Sequence, residues 1–187
     1  LASDRFQMFF LEAGRALGVF DESRGDVQAL RGMTFTAAEG PDLAFKQMLR
    51  SGGLDPENDL NIIDLPGAKD RDVSFGVFAA EALTEGKIDG YWSNAMGAET
   101  AVSRGVGKIH VDVRRGDDPG DVRFATCAGL VSTDEYIARE PESVDAAVRA
   151  IVKVQKALQA HPTLARKVGE GLFPPEAASL IATIVER

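Results

Sequence analysis

The sequence predicts an α/β fold: a parallel-rich sheet with flanking helices, followed by a purely helical C-terminal part. Three observations carry this. Residues 33–56 read as strand, glycine turn, helix and glycine stop. Between residues 27 and 113, short apolar runs alternate with helical patterns across short links, which implies parallel strands and right-handed crossovers. After Thr133 every periodic stretch is helical.

Taken in order, residues 6–11 read as a strand, residues 12–20 as a short helix or loop, and residues 21–26 as a polar turn. Residues 33–37 form the first strong strand. Gly40 turns the chain, Pro41 stands where a missing N–H costs nothing, and Leu43, Ala44, Met48 and Leu49 recur at helical spacing up to Gly52-Gly53. Residues 60–65 are a second strand and 66–72 a charged loop. Residues 73–83 are a helix and 88–92 a third strand, after which Ser93 and Asn94 are good helix caps. A helix over about residues 95–104 leads to a fourth strand at 109–113. Residues 123–131 are extended. Thr133 caps a short helix, and residues 142–159 form a long amphipathic one with Val144, Ala147, Val148, Ile151, Val152, Val154 and Leu158 on its apolar face. Residues 164–169 and a final stretch opened by Pro174-Pro175 complete the helical tail.

The composition narrows the function. In 187 residues there are 29 acids against 21 bases, a formal charge of −8, with no basic cluster. Nucleic acid and anionic membrane surfaces are excluded as partners on that ground. Cys127 is the single cysteine and cannot close an internal disulfide. His110 and His161 stand apart with no cysteine or histidine cluster, so neither a metal nor another cofactor is implied.

A set of phrases recurs in a recognisable order. Leu30-Arg31-Gly32 precedes the first strong strand, and Leu54-Asp55-Pro56 follows its helix. Residues 62–66, Ala82-Leu83 and Gly86-Lys87-Ile88-Asp89-Gly90-Tyr91-Trp92 come next, then Pro141-Glu142 and Phe173-Pro174-Pro175-Glu176-Ala177-Ala178. Over about residues 27–187 the chain resembles the periplasmic substrate-binding proteins of ABC importers, in the nitrate/sulfonate/taurine and thiamine-pyrimidine-precursor branch. The resemblance implies a type II periplasmic-binding-protein-like fold of two lobes that clamp a ligand. On it, residues 1–26 are an outgoing segment from lobe 1 and residues 27–118 a continuous lobe 2. Residues 119–187 are the return strand, at 122–131, with the C-terminal helices of an incomplete lobe 1. The opening half of lobe 1 is expected before Leu1. The implied function is solute binding for an ABC importer: a small sulfonate-like, amino-bearing or pyrimidine-type ligand in an interlobe cleft, a membrane permease as partner, and a periplasmic location. The alternative is an enzyme on the same fold acting on a sulfonate-like or heterocyclic substrate. A third reading is a module that binds a partner protein, or itself, through the incomplete lobe.

The resemblance also nominates residues. The helix start at Gly40, Asp42 and Leu43 matches the place where the family offers backbone amides to an anionic group. Glu39 and Asp42 set two carboxylates beside those amides, each opposing a bare anion by about 1 kcal/mol, so an amino-bearing or neutral heterocyclic ligand fits better. The plainer role of Asp42 is to stabilise its helix start. Trp92, Ser93 and Asn94 end a strand on the same side: the indole either stacks on a ligand or packs in the core, and Asn94 either supplies an amide or caps a helix. Tyr91 points the other way and is packed, and Glu99 is expected on the surface. Thr126 and Cys127 fall in the return strand, where the resemblance places the hinge. Cys127 would be the nucleophile of the enzyme reading, but no His or Lys lies near it in sequence to lower its pKa, and a small buried apolar role is the plainer one. His110 is expected to be solvent-facing or hydrogen-bonded.

Overall fold

A computed structural model describes residues 9–14, 25–68, 74–112, 116–119, 130–173 and 175–186. They fall into two compact units, residues 9–119 and residues 130–186, and each is described by itself.

The first unit is built on a five-stranded sheet made of β1 (Phe9–Gly14), β2 (Thr34–Ala37), β3 (Asn61–Ile62), β4 (Gly90–Asn94) and β5 (Gly107–Asp112). The strand order is β3-β2-β4-β1-β5. β2 runs parallel to β3 and β4, as strand–helix alternation with short links requires. β1 runs antiparallel to both β4 and β5 and separates them. Residues 12–14, expected in a helix or loop, continue that strand.

Side-chain alternation assigns two cores to the two faces of the sheet. Phe35, Trp92 and Val111 meet the apolar stripe of α1 (Asp42–Ser51), which is Phe45, Met48 and Leu49. Leu30, on a 3-10 turn over Val27–Leu30, closes this cluster. One residue out of phase with Trp92, Tyr91 joins Ala79, Ala80 and Leu83 of α2 (Phe75–Thr84) and Ala101 of α3 (Ala95–Ser103). Tyr91 is packed as expected, and its hydroxyl donates to the Gly97 carbonyl at 2.7 Å.

α2 and α3 touch through glycine. A Cβ at Gly76 would stand 2.6 Å from the Gly97 Cα, so neither position accepts a side chain while the helices stay this close. The sequence reading placed Glu99 on the surface; it is 2% exposed instead. The reason is the position of α3, which packs against α2, β1, β4 and β5 and leaves almost no open face. His110 is likewise buried, and its Nε2–H donates to the Asp26 carbonyl at 2.9 Å. Burial holds its pKa below the ordinary imidazole value, with Asp26 and Asp117 pulling the other way.

The second unit is helical: α4 (Asp134–Arg139), α5 (Pro141–Ala160), α6 (Leu164–Leu172) and α7 (Pro175–Glu186). Thr133 caps α4 as the sequence predicts, its side chain accepting from the Tyr136 amide at 3.2 Å. α6 meets α7 through small residues, Gly169 lying against the buried Ala178. α5 forms over its expected span but buries no residue, so Val148, Ile151, Val152 and Val154 of its apolar face are exposed. Thr126 and Cys127 lie outside the described residues, as do residues 6–8 and most of the predicted return strand.

Gly76→Ala is expected to cost about 1–3 kcal/mol, the usual range for overpacking a tight contact. The urea midpoint should fall with an unchanged slope. An unchanged midpoint would mean that α2 and α3 are not held in contact.

Candidate functional site

The geometry of the site begins with two helices packed on opposite faces of one sheet. α1 covers one face and α2 the other, so the chain leaves an opening at the carboxyl ends of β2 and β3, between the starts of these helices. Open α/β sheets bind ligands at such edges. The opening is a cleft of about 1090 Å³.

Its walls come from three stretches. Residues 36–39 continue out of β2, and Asp42 and Lys46 stand on the first turns of α1. Pro56, Glu57 and residues 60–65 come from the loop before β3 and the chain beyond it. Gly67, Ala68 and Phe75, the first residue of α2, complete the rim. The loop carrying Glu57 is pinned from below. The Asp55 carboxylate accepts from Asn58 Nδ2 at 2.6 Å and from the Glu57 amide at 3.0 Å. The Asn58 bond, then the Glu57 amide, draw the Asp55 pKa down, with Arg50 a smaller influence and slight desolvation opposing them.

The start of α1 is already satisfied from within the chain. Gly40, at φ +90°, makes the turn that its lack of a Cβ permits. Its N–H donates to Asp42 Oδ1 at 3.0 Å. The amides of Asp42, Leu43 and Ala44 donate to the carbonyls of Ala38, Gly40 and Pro41 at 2.9, 3.2 and 3.1 Å. The second oxygen of Asp42 stands 3.4 Å from Lys46 Nζ, one helical turn on. The Asp42 carboxylate thus lies beside the start of α1, bonded to the amide ahead of the helix and paired with Lys46, while the first helical amides donate to carbonyls of the chain.

Thr36 is fully buried in β2, and among the described residues its Oγ1 has no hydrogen-bond partner. The residue lines the cleft. A buried hydroxyl left unbonded costs about 1–3 kcal/mol, so such a group stands out against the rest of a fold.

Of the residues nominated from the sequence, Glu39 and Asp42 come together in the cleft. Gly40 shapes the turn beside it, and Leu43 is 70% exposed on the outer side of α1. Trp92 is in the core: 3% exposed, with Phe45 stacked on it at a centroid distance of 5.7 Å and 19° between planes. Ser93 is buried and its Oγ donates to the Asn94 carbonyl at 3.0 Å, while Asn94 caps α3 by accepting from the Gly97 amide at 3.3 Å. Thr36, Lys46, Asp64 and Phe75 were not nominated. Thr36 had a faint signal, a hydroxyl inside the apolar run before the glycine turn; the other three gave none.

Thr36→Val keeps the side-chain shape and removes the unbonded hydroxyl. Thermal and urea unfolding should show unchanged or slightly raised stability, by up to about 1 kcal/mol. A loss larger than that would reveal a bonded hydroxyl.

Comparison with known proteins adds three findings. A model of the NMT1-like family matches residues 9–171. No curated protein matches the sequence. Solved structures do match in fold. The periplasmic sulfonate-binding protein SsuA of a putative sulfonate ABC transporter from Methylobacillus flagellatus KT is 21% identical, at a TM-score of 0.64, over 92% of this chain and 48% of that one. The periplasmic aliphatic sulphonate binding protein SsuA from Escherichia coli is 13% identical, at a TM-score of 0.69, over 97% of this chain and 55% of that one. The alkanesulfonate-binding protein SsuA from Xanthomonas axonopodis pv. citri, bound to MOPS, is 13% identical, at 0.62, over 96% and 55%. The chain therefore spans about half the length of the structures it resembles, and its fold is that of the type II periplasmic binding proteins.

Proposed function

The chain belongs to the NMT1-like family, and on that footing we propose that it is the solute-binding component of an ABC importer, working in the periplasm and delivering its ligand to a membrane permease. The observation that carries this reading is the cleft at the carboxyl edge of the sheet, lined by polar groups from β2, α1 and the chain around β3. The names of the three structurally similar proteins support it, since each is a binding protein and two are named as periplasmic. The ligand is a small organic solute of sulfonate-like, amino-bearing or pyrimidine type. Glu39 and Asp42 meet it, whereas Trp92, Ser93 and Asn94 act behind the cleft by holding β4, α1 and α3 in place. The protein binds and releases its solute without turnover.

Thermal unfolding of the full chain against a panel of sulfonates, amines and aminopyrimidines tests the reading. One class should raise the midpoint in a saturable way, since a ligand at a hundred times its Kd adds about 2.7 kcal/mol. A folded protein whose midpoint answers to no member of the panel would contradict solute binding. Conversion of a panel member by the protein would move the enzyme reading to the front.

A further inference from the structure

Among the described residues, thirteen large apolar side chains are exposed, and all but Leu43 lie in the helical unit. α5 carries four of them, Val148, Ile151, Val152 and Val154, and buries no residue along its whole length. An amphipathic helix draws most of its stability from packing its apolar face, and an exposed apolar patch of this kind marks an interaction surface.

The order of residues on α5 says what fits that face. Counted from Ile151, Val148 and Val154 stand three residues either way, and Val144 and Leu158 seven residues either way. The apolar spacing therefore reads the same from both ends, the self-complementarity that a two-fold contact requires. The charges do not: the acids Glu142 and Asp145 come first, and the bases Arg149, Lys153 and Lys156 follow. Laid parallel, two such helices would set each charge beside its own like. Laid antiparallel about Ile151, they bring Asp145, six residues before that point, level with Lys156 of the second copy, five residues after it, on the same flank. Arg149 and Lys153 stand two residues either side of Ile151, which turns them to the far side of the helix. Asp145 also lies 3.9 Å from Arg149 of its own helix, and both side chains are exposed, so its carboxylate stays within reach of a second cation.

We propose that α5 is a self-association surface and pairs antiparallel with the α5 of a second copy of this chain. Ile151 meets Ile151 on the two-fold axis, Val148 meets Val154, and the half-buried Val144 and Leu158 close the two ends. Antiparallel pairing also sets the positive end of each helix dipole beside the negative end of the other. The inference stands apart from the solute-binding reading, whose cleft belongs to the other compact unit.

Sedimentation equilibrium of the full chain across a wide concentration range tests it, and a reversible dimer is expected. Ile151→Asp sets two carboxylates face to face on the axis and should weaken the dimer by at least about tenfold, with helix content by circular dichroism unchanged. Asp145→Lys and Lys156→Glu should each weaken it about fivefold, the scale of exposed ion pairs, and the two variants mixed in equal amounts should recover the original affinity. Should Ile151→Asp lose helix content, the exposed charge variants decide alone. A chain that stays monomeric at the highest concentration would overturn the inference, whatever else covers α5. A dimer indifferent to a folded Ile151→Asp, or a mixture of charge variants pairing no better than either alone, would overturn it too, by placing the contact elsewhere or in another orientation.

Discussion

The stack of Phe45 on Trp92 is the contact on which the rest of the site depends. The two rings lie 5.7 Å apart and nearly parallel, with Phe35 tilted against Phe45 at the same separation. Three aromatic side chains from β2, α1 and β4 thereby lock together, each burying a large apolar area. This fixes the height at which α1 begins above the sheet. Gly40 can then make its turn at the carboxyl edge, and Glu39, Asp42 and Lys46 are delivered to one side of the cleft. The Trp92 ring holds the start of α1 in place from within the core.

The second constraint is electrostatic. A helix N-terminus facing an open cleft invites an anion. Here the first helical amides donate to carbonyls of the chain, and Asp42, at the first helical position, takes the Gly40 amide and pairs with Lys46 a turn away. The fold shared with sulfonate-binding proteins supplies the edge, and the residues at the edge supply the chemistry.

Much of the architecture was legible in the sequence, because glycine and proline mark its boundaries. Gly40-Pro41, Gly52-Gly53 and Asn94 stand where the elements turn or begin. Pro141 opens α5 and Thr133 caps α4, both as their residue types dictate. Glu99 was misplaced because it sits on a short helix where periodicity does not tell a buried face from an exposed one, and only packing from neighbours distant in sequence decides. The two readings of Trp92 stayed open in the sequence for the same reason. The cleft was half legible. Glu39 and Asp42 flank an obvious turn, but Thr36 and Asp64 line one cleft only because β2 pairs in parallel with β3, a long-range register that no local pattern announces. The apolar face of α5 was read correctly as a pattern, yet the structure leaves it exposed.

The most direct test of the account is a map of backbone amide shifts in the 15N-labelled chain on titration with the panel solute that raises its melting midpoint. The account predicts concerted shifts at residues 36–42 and 61–65, around the carboxyl ends of β2 and β3, saturating with one apparent Kd. Shifts gathered on α4 to α7 instead, or no shifts at these residues at saturating solute, would contradict the claim that this edge of the sheet is where the protein holds its solute.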